Sequence, residues 1–236
     1  MASATTLTKH DTHVLGALFD PESSLSDVYQ INSLGNIYYD INTMTHLKSI
    51  ELEALESVDT AIPSDANIAR TIQILSALIE EYPLLASAYN NRAEARRLSH
   101  DVETLMHRPD ILNAILADLR RAIDLATPAH DPNTISVGDA SVLAAAYTHK
   151  ASLLYLASQI GLPDSVLGQV GDISGRSREQ LEECASKNFA AGGRYGNKLA
   201  KQLAVKTNPY AKLCGNIIKE AMRRELDSMQ IVPDIK

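Results

Sequence analysis

The sequence predicts an all-α protein built from antiparallel helix pairs, and three observations carry that prediction. Apolar residues recur at helical spacing almost throughout the 236 residues, while β-branched alternation is scarce. Aromatics are few (nine Tyr, two Phe, no Trp), so the core must rest on Leu, Ile, Val and Ala, which suits helices that cross closely at Ala. Pro-, Asp- and Gly-rich stretches cut the periodic segments into lengths of one helix each.

Taken in order, HDTHVLGALFDP (10–21) reads as a short helix stopped at Asp20-Pro21, and 22–43 as an irregular connection. Thr45 to Asp59 is a helix with Leu47, Ile50, Leu55 and Val58 among its apolar positions. Pro63-Ser64-Asp65 breaks the chain and supplies a cap for IARTIQILSALIEEYP (68–83), which ends at Pro83. ASAYNNRAEARRL (86–98) is the next helix, although Asn90 and Asn91 are poor helix formers. A separator at 99–110 precedes the amphipathic ILNAILADLRRAIDLA (111–126). Residues 127–139 read as loop, 140–158 as helix and 161–177 as a long Gly-rich loop. REQLEECASKNFA, GRYGNKLAKQLAV and NPYAKLCGNIIKEAMRREL complete the chain, with Gly192-Gly193 and Gly168-Gln169-Val170-Gly171 read as flexible connections.

Ala54, Ala93 and Ala151 align as the small residue in the first helix of successive pairs, each preceded four residues earlier by Ile50, Tyr89 or Tyr147. Their spacings of 39 and 58 residues (93−54, 151−93) exceed the roughly 34 of an ideal tetratricopeptide unit. The loops at 59–64, 99–110, 127–139 and 159–177 absorb the excess. The expected fold is therefore a short right-handed tetratricopeptide repeat superhelix of three degenerate units, 45–83, 84–126 and 139–191. Capping helices flank it, one near the N-terminus within 1–44 and others at 194–229, all packed as one domain.

The net charge of −7 and pI near 5.5 argue against a nucleic-acid face. The start of the chain lacks a signal-peptide core, and no apolar run reaches the ~18 residues of a membrane span. Cys184 and Cys214 are isolated thiols that fit a reducing compartment and apolar seams. A cytoplasmic or nucleocytoplasmic protein is expected. His10 and His13 with Asp11 lack a third and fourth metal ligand and read as a capped helix start. No phosphate loop, no nucleophile motif and no paired carboxylates appear, so neither an enzyme nor a cofactor is expected.

Three stretches, HDTHVLGALFDP, ASAYNNRAEARRL and KLAKQLAVKTNPYAKLCGNII, resemble the tetratricopeptide repeat protein 36 family, and the likeness spans nearly the whole chain. Asn208-Pro209-Tyr210-Ala211 with Leu213-Cys214 is its most specific part, being absent from the general repeat consensus. The resemblance implies a non-enzymatic helical scaffold, with members that bind the seventy-kilodalton heat-shock chaperone and a link to tyrosine metabolism.

Chaperone-binding repeats of this kind grip an acidic tail with Lys, Arg and Asn on the concave face. Of the five positions, Asn91 alone matches; Glu51, Leu55, Ala145 and His149 occupy the others. A complete two-carboxylate clamp is therefore not expected. The candidate protein-binding groove instead comprises Asn90, Asn91, Glu94 and Arg97 from the middle unit, with Thr148, His149, Ser152 and Tyr155 from the third. Arg92, Arg96, Arg120 and Arg121 read as solvated faces balanced by Glu94 and Asp118. Arg194, Lys198, Lys201 and Lys206 form a basic stripe, also read as solvated. The expected partner is a protein, either a heat-shock chaperone or a client enzyme held against degradation.

Overall fold

A computed structural model describes residues 30–32, 38–60, 62–128, 134–161, 166 and 168–229. The expected helix 10–21 and the His10/His13 pair lie outside the described residues.

Helix α1 (Ile41–Glu56) begins earlier than its apolar pattern predicts, because Asp40 caps it by accepting from the Asn42 and Thr43 amides. Leu47, Glu51 and Ala54 form its buried face. Ser64 caps α2 (Asp65–Glu81), whose Ile68, Thr71, Leu75 and Leu78 turn inward, and Pro83 follows its end. α3 (Ala86–Leu98) matches the predicted helix and buries Ala86, Ala88, Ala93 and Ala95. The separator after it holds a short helix, α4 (Val102–Met106), capped by Asp101. Apolar Leu105 and Met106 anchor this turn in the core, which is why the stretch is not merely a loop.

Pro109 opens α5 (Pro109–Ala126), where its missing N–H costs nothing. α6 (Val137–Ile160) is capped by Ser136 and ends at Gly161, which takes the left-handed conformation, φ 67°. A capping box of Ser177 and Gln180 opens α7 (Arg178–Arg194). The chain then breaks at 195–197, within the predicted helix GRYGNKLAKQLAV. There Asn197 caps α8 (Lys198–Thr207) by accepting from the Ala200 amide. α9 (Pro209–Met229) follows directly.

The two stretches read as irregular, 22–43 and 127–139, hold the described strands. β1 (Gln30–Asn32) runs parallel to β2 (Thr134–Ser136), with Ile31 opposite Ile135. Ile135 is buried beside Leu143 and Ala140, an anchor that periodicity over three residues cannot reveal.

Helices packed side by side run α2 on α3, α3 on α5, α5 on α6, α6 on α7 and α7 on α8. α1 also touches α3, and α3 touches α6. Ala54, Ala93 and Ala151 are all buried. The main core joins α3 to α8 around Leu112, Leu116, Leu119, Leu153, Leu154 and Phe189, and a second cluster binds α1, α2 and α3. Gly192 and Gly193 are not flexible connections. They close the last turn of α7, where a Cβ on Gly192 would lie 2.6 Å from Thr148 Oγ1 and one on Gly193 3.0 Å from Lys201 Cα. No described helix is long and apolar enough to cross a membrane.

Candidate functional site

Between α3 and α6 lies a groove of about 400 Å³, lined by Glu94 and Arg97 of α3, Val102 and Leu105 of α4, one face of α6, and Asn197. Ala145, His149, Ser152, Leu153 and Leu156 recur at three- and four-residue steps, which places them on a single helical face. The lining is mixed, with Val102, Leu105, Ala145, Leu153 and Leu156 apolar and the other side chains polar.

The polar groups are largely occupied by one another. Arg97 donates from Nε to Glu94 Oε1 at 3.0 Å, and His149 Nδ1 stands 3.5 Å from Glu94 Oε2. Thr148 donates to the Ala144 carbonyl and accepts from Asn197 Nδ2 at 3.0 Å, while Ser152 donates to the Thr148 carbonyl. Asn197 therefore ties the α7–α8 corner to the groove wall. Burial pushes the His149 imidazole down to about 4, aided by the Arg97 charge and opposed by Glu94. His149 is neutral at pH 7, and its Nε2 is buried with no hydrogen-bond partner. Burial raises Glu94, but the Arg97 hydrogen bond and the charges of His149 and Arg97 outweigh it and leave the carboxyl below its ordinary value. At neutral pH the groove holds one compensated ion pair and a neutral ring.

Five of the eight predicted groove residues, Glu94, Arg97, Thr148, His149 and Ser152, line this groove. The other three do not. Asn91 donates from Nδ2 to Glu51 Oε1 at 3.0 Å, inside the α1–α3 contact, and Ser87 donates to Glu51 Oε2 at 2.9 Å. Asn90 turns its amide toward Asn91, and Tyr155 packs on the main core. Glu51 is 5% exposed, and burial raises its carboxyl above the ordinary value against the hydrogen bonds from Ser87 and Asn91. The one clamp position that matches is thus consumed by the acidic residue standing where a clamp would need a cation.

Two of the arginines read as solvated are half-buried, though Asp118 balances them as expected. Arg92 and Arg96 converge on Asp118 at 2.7 and 2.5 Å, and Asp118 is almost fully buried between α3 and α5. Arg92 also reaches Ser76 Oγ and lies over the Tyr89 ring. Sequence reading missed Val102, Leu105, Ala145, Leu153, Leu156 and Asn197. The helical spacing of the α6 residues held that signal, and Asn197 before Lys-Leu-Ala reads as a cap. Among the described residues no group of three or more His, Cys, Asp or Glu is placed to hold a metal ion.

Comparison with known proteins adds relatives along the whole chain. A protein of Aspergillus fumigatus named L-tyrosine degradation gene cluster protein hmgX is 40% identical over 97% of this chain and 100% of its own length. Tetratricopeptide repeat protein 36 of Danio rerio is 27% identical over 98% of this chain and 100% of its own. Its counterpart in Homo sapiens is 26% identical over 94% and 98%. No family model matches the chain. No solved structure matches it either.

Proposed function

The chain belongs to the tetratricopeptide repeat protein 36 family, and from that premise we propose a non-enzymatic adaptor that binds a partner protein in the groove between α3 and α6. The supporting observation is the groove itself. It lies between α3 and α6, mixes apolar Val102, Leu105, Leu153 and Leu156 with polar groups, and is electrically neutral at pH 7 because Glu94 and Arg97 compensate. Such a surface fits an apolar peptide segment with modest polar character, not a doubly charged acidic tail. A heat-shock chaperone, if it is the partner, engages through its folded domains, since Glu51 seals Asn91 and the clamp cations are absent.

A second reading rests on the printed name of the Aspergillus relative, which places that protein in an L-tyrosine degradation gene cluster. It is that this chain stabilises one enzyme of tyrosine catabolism against degradation. The cytoplasm is the compartment proposed for both.

Affinity capture on the full chain, with Ser152→Arg as the groove-blocking control, tests the site. Arg at this half-buried position fills the groove, and at least one captured protein should fall several-fold. An unchanged catch with a folded variant overturns the groove assignment. A catch dominated by a chaperone supports the adaptor, and a single stoichiometric enzyme supports the stabiliser. For the chaperone, full-length and tail-deleted forms should bind this chain equally; complete loss with the tail-deleted form would restore the clamp.

A further inference from the structure

Charge is segregated along this chain. Residues 184–219 carry Lys187, Arg194, Lys198, Lys201, Lys206, Lys212 and Lys219 and not one Asp or Glu, so a chain of net −7 holds +7 there and −14 elsewhere. Helix α8 lies within that basic stretch. Its buried side, Ala200 and Thr207, packs toward α7. Its outward side is formed by Val205, Lys198, Gln202, Lys206 and Leu199, which at 100° per residue span an arc of about 120°. Leu199 is 60% and Val205 67% exposed. Arg194 closes α7 beside the start of α8, and Lys201 flanks the arc. None of Arg194, Lys198, Lys201 and Lys206 takes part in an ion pair among the described residues.

An exposed helix face that combines two large apolar side chains with cations unpaired among the described residues, in a stretch that itself carries no acid, is complementary to one chemistry. We propose that the outward face of α8 docks an acidic amphipathic segment of a partner protein, with Leu199 and Val205 taking its apolar side chains and Arg194, Lys198 and Lys206 its carboxylates. The cations steer and orient the segment, and the apolar pair supplies burial. A lipid surface fits less well. The face carries no aromatic anchor, and the −14 borne by the rest of the molecule is repelled by an anionic leaflet. This site is separate from the α3–α6 groove and does not depend on how that groove is used.

The test uses the full chain and a fluorescent helical peptide of Leu and Glu with Leu at i, i+3, i+4 and i+7, beside polyglutamate and phosphatidylserine vesicles. The amphipathic peptide should bind, with affinity falling as salt rises. Lys198→Glu/Lys206→Glu should weaken it about tenfold, and Leu199→Ser/Val205→Ser should weaken it about tenfold without altering the salt slope. Arg97→Glu, in the groove, should leave it unchanged. All four positions of the α8 variants are solvent-exposed, so folding is retained and circular dichroism checks it. Vesicle binding without peptide binding, equal affinity for polyglutamate, or indifference to both α8 variants would overturn the proposal. So would peptide binding that emerges only after Asp11, Asp20, Glu22 and Asp27 are neutralised, because this chain's own N-terminal acids would then be the occupant.

Discussion

Two buried titratable side chains set opposite pH dependences. Glu51 has a raised carboxyl, first because of burial, so the folded state holds its proton more tightly than the unfolded chain does. That stabilisation is complete below the unfolded carboxyl value near 4.5 and is lost as pH rises through the folded one. Glu51→Gln keeps an acceptor for Asn91 while removing the buried charge, so its stability relative to the parent should rise between pH 4.5 and 7 in urea unfolding. A constant difference across that range would show that Glu51 is not the titrating group. His149 runs the other way. Its folded value is depressed to about 4 by burial, so its contribution is present above the unfolded value near 6.5 and is lost as pH falls toward 4. The loss amounts to about 3 kcal/mol at most, and His149→Leu should abolish that part of the acid slope. Asp118 is a third case, because it answers two arginines at once. Asp118→Ala leaves both guanidinium groups uncompensated and should cost about 2–4 kcal/mol, the arginines being partly open to solvent. Residues that share one helical face, such as His149 and Ser152, are legible in the sequence. The pairing of Asn91 with Glu51, forty positions away, and the convergence of Arg92 and Arg96 on Asp118 are tertiary and leave no local mark.

At the scale of elements, capping and breaking residues fixed where helices begin. Ser64, Asp101, Ser136, Ser177 and Asn197 each accept from the backbone of the first turn they introduce. What sequence pattern misjudged was glycine, because the same residue loosens a loop and permits a close crossing. Gly192 stands where α7 meets Thr148 and the Ala144 carbonyl of α6, whereas Gly215 in α9 has open space around its Cβ position. Opposite outcomes follow for one substitution. Gly192→Ala forces α6 and α7 apart and should lower stability by about 1–3 kcal/mol. Gly215→Ala should raise the helicity of α9, by roughly 0.5–1 kcal/mol of local preference. Thermal unfolding and circular dichroism of the pair decide it, and equal effects would mean that Gly192 is not a packing glycine.

For the whole molecule, burial is graded along the array, and that grading dictates which part opens first. α5, α6 and α7 supply most of the main core, including Leu112, Ile115, Leu116, Leu119, Leu153, Leu154 and Phe189. α1 buries only Leu47, Glu51 and Ala54, one of them a carboxyl that burial disfavours in its charged form. α9 leaves Tyr210, Ile217, Ile218 and Met222 more than half exposed. In a stack where each unit rests on its neighbours, an end helix can detach without breaching the middle. Amide hydrogen exchange should therefore be slowest in α5–α7, intermediate in α2 and α3, and fast in α1 and α9. Raising the pH from 4.5 to 7 should accelerate α1 beyond the intrinsic increase, because burial penalises the ionised Glu51 carboxylate by more than its hydrogen bonds from Ser87 and Asn91 recover, and Glu51→Gln should remove that excess. Uniform protection across the described helices, collapsing in one step, would instead mean that α1 and α9 are locked to the core as tightly as its centre.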